Sequence, residues 1–309
     1  MDLSQRIIRT SIDWSGADLI LADYLAGRFT YRSREEWCER IISGEITLNG
    51  LIVSPETRLA LHDQLEYRPG DIVEPPADLD YKIVFEDEQV AVIDKPGNLC
   101  MHPAGPFFKH TLWHLLCSKY GTIHFVNRLD RETSGLLLAA KDPKSAKRLS
   151  KNITAKRYQV IIHGNFPENL SASGFLQSAN SIVRKKRRFV FEMPDAPPFE
   201  SSNTVFCKLA FANNLSLVEA TLHTGRMHQI RATLHSLGYP VAGDKLYGLD
   251  ENFYLKQRSG ELSETDRQKL LIPRQALHSS FLEFIHPATG EKLAFSAPLP
   301  PEMSQLITG

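Results

Sequence analysis

This 309-residue sequence lacks long apolar runs, cysteine pairs and any net charge. No stretch reaches the roughly 18–20 apolar residues that a membrane-spanning helix needs, so no such helix is expected. The first ten residues, MDLSQRIIRT, carry charges where a signal peptide has its apolar segment. We therefore expect a cytoplasmic protein that is neither secreted nor bound to a membrane.

The four cysteines, at positions 38, 100, 117 and 207, are scattered and include no Cys-x-x-Cys pair. This spacing is not that of a zinc site, and a disulfide framework is not expected in a chain of this length. A content of 42% hydrophobic and 23% charged residues is ordinary for a soluble folded protein with a large core. It excludes a mainly disordered chain.

The zero net charge hides a segregation of charge along the chain. Residues 1–75 contain 13 acidic and 8 basic residues, whereas residues 100–231 contain 19 basic and 8 acidic residues. A strongly positive middle segment in a neutral protein indicates a local binding site for a polyanion. The same excess of positive charge also occurs on solvent-exposed surfaces that bind no ligand, and that is the commoner case. The sequence motifs are therefore needed to distinguish a binding site from such a surface.

The first 75 residues are predicted to form a separate small module. Apolar spacing predicts a helix over 18–25, and Ser33 with Glu36 forms a capping-box pattern for a second helix over 33–42. Short strands are expected at 46–48 and 51–53 around an Asn-Gly turn, with further extended pieces at 64–67 and 71–73. Residues 76–80 are predicted to form a linker, and residues 81–309 are predicted to form a second, larger domain.

The larger domain is predicted to be α+β, with a largely antiparallel sheet rather than regular βαβ winding. Segments in which apolar and polar residues alternate, and short continuous apolar segments, predict strands at 83–85, 90–93, 135–140, 158–162, 204–209, 215–222, 281–285 and 292–295. Helices are expected at 145–153, 227–237 and 261–271.

The densest group of charged residues lies at 127–141, directly before an apolar strand. Asp130 stands between Arg128 and Arg131 and precedes a Thr-Ser-Gly turn. A partly desolvated carboxylate that a guanidinium keeps ionised is a possible nucleophile or base. The alternative is a salt-bridged loop, which is more common on physical grounds alone.

A second group follows a glycine that breaks a strand, at 221–238. On the predicted helix, His228, Arg231 and His235 fall at i, i+3 and i+7, on one face. Metal binding by the two histidines is not expected, because no carboxylate completes a ligand set. We instead expect Arg231, on this face of the helix, to point towards a carboxylate.

Two further features have a functional and a structural interpretation each. Tyr158 opens a strand in the sequence Lys156-Arg-Tyr158, where a half-buried strand residue is the commoner case. Residues 184–188 are five consecutive cations, which attract phosphates without sequence preference or form an exposed hairpin tip.

Together these segments resemble the RluA family of RNA pseudouridine synthases over nearly the whole chain. The resemblance is carried by residues 81–103, 127–141, 156–158, 225–231, 238–244, 247–248, 274–278 and 286–287. Residues 18–53 resemble the small RNA-binding module that precedes the catalytic domain in many members. Asn127 and Met227 depart from the family pattern, in which histidine and threonine are usual, but neither holds the proposed nucleophile or its arginine partner.

The resemblance implies that the protein isomerises uridine to pseudouridine in ribosomal or transfer RNA, as a monomer and without a metal or nucleotide cofactor. It implies catalytic roles for Asp130, Tyr158 and Arg231. It implies substrate-binding roles for Arg128, Leu129, Arg226, His228 and Ile230. Arg128 is expected to enter the RNA stack when the target base swings out.

Three alternatives compete with this interpretation. A catalytically silent RNA-binding or ribosome-assembly factor on the same fold is disfavoured by the joint presence of Asp130, Tyr158 and Arg231. A hydrolase with an aspartate nucleophile would need a water-activating partner or a metal near Asp130. Action on a free nucleotide is disfavoured by the basic middle segment.

Overall fold

The computed structural model describes residues 7–29, 32–70, 73–181, 183 and 186–308. The chain divides into two compact units, Met1–Pro76 with His102–Gly121, and Ala77–Met101 with Thr122–Gly309. The predicted domain limits at residues 75 and 81 stay a prediction. Among the described residues, no helix is long and apolar enough to cross a membrane.

The first unit combines helices with a small antiparallel sheet of strand order β1-β3-β2. Its strands are β1 (Ile8–Ser11), β2 (Ile46–Leu48) and β3 (Gln64–Tyr67), and its helices are α1 (Leu21–Arg28), α2 (Arg34–Ile42) and α3 (Leu112–Tyr120). The capping box of Ser33 and Glu36 is confirmed at the start of α2. The rings of Trp37 and Tyr67 meet edge to face at 5.2 Å in the core of this unit.

Two predictions for this unit are corrected. The first helix begins at Leu21 rather than residue 18, because Asp18 has left-handed backbone geometry with φ of 67°. Residues 51–53 do not pair as a strand with β2; Leu51 makes one isolated bridge to Leu48, and β2 pairs with β3 instead. Of the predicted extended piece at 71–73, positions 71 and 72 lie outside the described residues.

The second unit contains a mixed sheet of eleven described strands, which confirms the predicted α+β class. Its strands are β4 (Lys82–Glu86), β5 (Val90–Lys95), β6 (His124–Phe125), β7 (Ser134–Ala140), β8 (Ile153–His163), β9 (Asn169–Ser178), β10 (Arg187–Val190), β11 (Phe199–Ala212), β12 (Leu215–Leu222), β13 (Leu277–Ile285) and β14 (Lys292–Ser296). The main path is β10-β9-β11-β12-β8-β13-β7-β5-β4, with β14 on β13 and β6 on β7. Strand β13 runs parallel to β7, and the other described pairs are antiparallel.

The helices of this unit agree with the predictions in part. They are α4 (Pro143–Asn152), α5 (Gln229–Ser236), α6 (Asn252–Ser259), α7 (Glu264–Leu270) and α8 (Pro301–Thr308). Helix α5 begins two residues later than predicted, because His228 has a φ of 58° and is not helical. Strands β6, β9 and β10 and helices α6 and α8 were not predicted; the sequence of β9, NLSASGFLQS, has few β-branched residues to indicate a strand.

The loop that carries Asp130 is positioned by the start of β7. All seven residues of β7 are buried, in a core shared with β5, α4 and β13. Gly135 has a φ of 104°, and a Cβ there would lie 2.3 Å from the carbonyl oxygen of Ser279. Only glycine permits this approach of β7 to β13, which brings the loop before β7 close to the residues before β13.

Candidate active site

All eight predicted site residues line one cleft of about 590 Å³ in the second unit. Asp130 lies in the loop between β6 and β7, Tyr158 lies on β8, and Arg231 lies in the first turn of α5. The other members are Arg128, Leu129, Arg226, His228 and Ile230. This volume is in the range of pockets that hold one small ligand or one nucleoside.

Asp130 and Arg231 form a direct ion pair on the wall of the cleft. The Arg231 Nη1 donates to Asp130 Oδ2 at 2.7 Å, although the two residues are 101 positions apart. The side chain of Asp130 is 30% exposed and that of Arg231 is 9% exposed, so the carboxylate is the member that faces the cleft. Burial raises the pKa of Asp130, but the charges of Arg231 and His228 and the hydrogen bond from Arg231 outweigh it and hold the pKa below its usual value.

Asp244 holds the rest of the Arg231 guanidinium and was not predicted to act in the site. Arg231 Nε and Nη2 donate to the two oxygens of Asp244 at 2.6 and 2.9 Å. Asp244 is completely buried, and its Oδ1 also accepts the backbone amides of Leu246 and Tyr247. Arg231 is therefore fixed by a bidentate pair, and Nη1 is left to hold Asp130.

His228 sits beside Asp130. Its Nδ1 is 3.0 Å from the hydroxyl oxygen of Tyr247, which also accepts the backbone amide of Arg187 at 2.8 Å. Nε2 lies 3.8 Å from Asp130 Oδ1. Burial lowers the pKa of His228 despite the neighbouring Asp130, so the ring is neutral near pH 7.

Tyr158 is part of the buried wall of the cleft. It is 6% exposed, and burial raises its pKa to about 12. Its phenol therefore stays protonated at neutral pH. Leu129 and Ile230, which are 6% and 4% exposed, complete this apolar wall.

The loop that carries Asp130 is supported from below by a buried amine. Lys95 has no exposed surface, and its Nζ donates to the carbonyl oxygens of Pro96, Leu99 and Arg131 at 2.7–3.1 Å. Gln275 adds a second support, because its Nε2 lies 2.5 Å from Thr133 Oγ1 and 3.4 Å from Asp130 Oδ2. Neither residue was predicted as part of the site.

The rim of the cleft carries cations. Arg128 is exposed, and among the described residues it has neither an ion pair nor a hydrogen bond. Arg226 donates to the carbonyl oxygen of Ser201 at 3.2 Å, and its guanidinium lies 3.8 Å from Glu200. The side chain of Lys156 also lines the cleft, and burial lowers its pKa.

The predicted cation run at 184–188 is only partly a free cationic surface. Positions 184 and 185 lie outside the described residues. Lys186 pairs with Glu251 and Arg187 pairs with Glu200, each at 2.7 Å, while Arg188 is exposed. Two of the five cations are therefore neutralised within the protein.

A metal site does not form from the described residues. No group of three or more histidine, cysteine, aspartate or glutamate residues among them is arranged to hold an ion.

Comparison with known proteins points to one family. A family model described as RNA pseudouridylate synthase matches residues 89–236. An uncharacterized RNA pseudouridine synthase of Bacillus subtilis is 31% identical over 92% of this chain and 91% of that protein. Ribosomal large subunit pseudouridine synthase D of Zymomonas mobilis is 31% identical over the same shares of the two chains. Among solved structures, human RNA pseudouridylate synthase domain containing 1 shares the fold, with 20% identity, a TM-score of 0.58, and coverage of 76% of this chain and 91% of that one.

Proposed function

The chain belongs to the RNA pseudouridylate synthase family, and we propose that its cleft isomerises uridine in RNA to pseudouridine through Asp130. The observation that carries this proposal is the ionised Asp130, held by buried Arg231 and facing an open cleft with a cationic rim. The pair combines a reactive carboxylate with a fixed orientation.

The reaction breaks the bond between the sugar C1′ and N1 of uracil, turns the base, and joins C1′ to C5. The proton on C5 is then lost and N1 takes up a proton, so the product is an isomer of the substrate and no net oxidation or hydrolysis occurs. Asp130 acts by attack on the sugar, by attack on the base, or by removal of a sugar proton. Each of these routes requires the ionised carboxylate that Arg231 maintains.

Tyr158, Leu129 and Ile230 form the surface on which the target base packs. A phenol whose pKa is raised to about 12 is a weak base at neutral pH, which favours packing over proton removal as the role of Tyr158. His228 presents its Nε2 beside Asp130 for a polar atom of the substrate.

Arg128 and Arg226 bind the RNA at the rim of the cleft. A stacked uridine is extruded at a cost of a few kcal/mol, and a side chain that fills the vacated space offsets part of that cost. Arg128 is exposed, free of partners among the described residues, and two positions from Asp130. These features support the insertion role.

The RNA that we propose first is ribosomal, because the Zymomonas relative is named for the large ribosomal subunit. Transfer RNA is the second class to test. The protein is proposed to act as a cytoplasmic monomer without a cofactor.

Release of tritium from C5 of labelled uridine in RNA tests the assignment of Asp130. The variant Asp130→Asn keeps the size of the side chain and removes its charge, so we expect turnover to be abolished while RNA binding and folding are retained. Asp195→Asn is the matched control, since Asp195 is exposed and does not line the cleft. Substantial tritium release by Asp130→Asn would exclude Asp130 from the central role.

A further inference from the structure

One face of α4 carries a row of cations. Lys144, Lys147, Arg148 and Lys151 occupy positions i, i+3, i+4 and i+7 of the helix and therefore share one face. All four are exposed, while Ser145 and Leu149 on the opposite face are buried. The helix itself, PKSAKRLSKN, contains no acidic residue. We call these four residues the α4 cation row.

The lysines of this row are not neutralised by the described part of the protein. The side chains of Lys144, Lys147 and Lys151 make no ion pair or hydrogen bond with a described residue, and the side chain of Arg148 donates only to the carbonyl oxygen of Pro287 at 2.9 Å. Many other lysines of the same unit are paired. Such pairs join Lys141 to Glu86, Lys208 to Glu168, Lys245 to Glu132 and Lys292 to Glu283.

An unpaired row of like charges is costly for the helix that carries it. Cations at i, i+3 and i+4 repel each other and destabilise a helix by a few tenths of a kcal/mol per pair. A polyanionic ligand would remove this repulsion.

The row leads to the cleft that contains Asp130. Ser150, near the end of α4, lines that cleft together with Ile153 and Thr154, which follow the helix directly. Lys144 and Lys151 are seven residues apart, about 10 Å along the helix axis at 1.5 Å per residue. The row therefore extends outward from the cleft as a linear cationic surface.

We propose that the α4 cation row binds the phosphate backbone of the substrate RNA on one side of the modified uridine. This inference rests on the proposed function, because it assumes that the target uridine enters the cleft. Contacts to phosphates position an RNA and carry no base information, so the row sets affinity and not the choice of uridine.

The test compares two double variants with the same change of charge. Lys147→Gln with Lys151→Gln removes two cations from the row. Arg267→Gln with Lys269→Gln removes two exposed cations from α7, which does not line the cleft. RNA affinity is measured against salt concentration, and turnover is measured by tritium release from C5.

For the α4 variant we expect the slope of log K against log salt to decrease by about 1.4, or about 0.7 for each lost contact to single-stranded RNA. KM should rise, while kcat at saturating RNA and the position of the modified uridine stay unchanged. The α7 variant should keep the wild-type slope and KM.

Equal slopes for the wild type and both variants would overturn the proposal. So would a loss of kcat at unchanged affinity, which would make the row part of the architecture of the cleft. If the wild type released no tritium but the α4 variant alone lost its salt dependence, the proposed isomerisation would fail while the RNA surface would stand.

Discussion

At the scale of single residues, Arg231 is shared between two carboxylates that differ in exposure. Asp244 is completely buried, whereas the side chain of Asp130 is 30% exposed and faces the cleft. Removing one partner of a buried ion pair leaves an uncompensated charge, which costs about 3–5 kcal/mol. Asp244 therefore anchors the guanidinium, and Asp130 is the carboxylate available to a substrate.

A pH profile tests whether Arg231 keeps Asp130 ionised. Arg231→Met removes the charge that lowers the pKa of Asp130, and Asp244→Asn is added so that no unpaired carboxylate stays buried. Activity requires the ionised carboxylate and is lost as pH falls through its pKa. A raised pKa should therefore shift the acid limb of the pH–rate profile to higher pH.

Asp244→Asn alone serves as the control, because it retains the pair of Arg231 with Asp130. Its acid limb should stay close to that of the wild type. An unchanged acid limb in the double variant, with only a loss of stability, would make Arg231 a structural residue.

The role of Arg128 is tested with two RNAs. Arg128→Ala should slow modification of a folded stem-loop strongly, because the extruded base leaves a gap that nothing fills. It should slow modification of a short unstructured RNA much less, since little stacking is broken there. Single-turnover rates on both RNAs give the comparison.

Arg131→Ala is the matched control, since Arg131 is a neighbouring arginine whose side chain pairs with Glu132 at 3.3 Å. Arg131→Ala should slow modification of both RNAs only slightly and to the same extent. Equal slowing of both RNAs by Arg128→Ala would instead assign Arg128 to the support of Asp130.

At the scale of elements, the site depends on how the loop before β7 is held. Lys95, at the end of β5, donates to three carbonyl oxygens, one of which belongs to Arg131 next to Asp130. Gln275, just before β13, binds Thr133 in the same loop. Residues next to β5 and β13, the two strands that pair with the start of β7, thus hold this loop.

Lys95→Met should destabilise the protein by about 2 kcal/mol, because it removes a buried donor from three carbonyl groups. Urea unfolding measures this loss. Activity of the folded fraction should also fall, since the carbonyl of Arg131, next to Asp130, keeps the backbone amide of Leu99 but loses the Lys95 amine as a donor.

Lys292→Met, at a side chain that is 63% exposed on β14, is the control and should change stability little. If Lys95→Met were as stable as the wild type, this would show that the Lys95 amine does not hold the loop.

At the scale of the whole molecule, charge is distributed unequally between the two units. The arginines of the first unit are largely paired within it. Arg9 and Arg68 contact Glu66, Arg34 contacts Asp23 and Glu56, and Arg40 contacts Glu45. Residues 100–231 carry the excess of cations, and the unpaired lysines of α4 and Arg128 belong to this part. We therefore expect RNA binding to depend mainly on the second unit.

Arg9→Gln with Arg68→Gln tests this distribution. Both cations are paired with Glu66, and we expect neither to bind a phosphate, so the salt dependence of RNA affinity should change by less than about 0.3 in slope, well below one phosphate contact. The measurement is the same titration used for the α4 cation row. A decrease of this slope by the equivalent of one phosphate contact or more would show that the first unit binds the RNA backbone.

Local features of the fold could be predicted from the sequence by itself. The apolar run at 135–140 predicted β7, the alternation at 215–222 predicted β12 with its bounds, and Ser33 with Glu36 predicted the start of α2. These signals work because capping and periodicity involve residues within about four positions of each other. The crowding of charge around Asp130 and Arg231 identified the two candidates for the same reason.

The family resemblance implied that Arg231 is the partner of Asp130, but the geometry of this pair and its supporting contacts were decided only by the tertiary structure. Asp130 and Arg231 are 101 positions apart, and Gln275 is 142 positions from Thr133. Asp244 resembles any other polar residue until its burial beside Arg231 is known. Contacts over such separations depend on strand order and register in the sheet, in particular on the close approach of Gly135 to Ser279. Residue types and local spacing do not contain that information, because many strand orders satisfy the same local patterns.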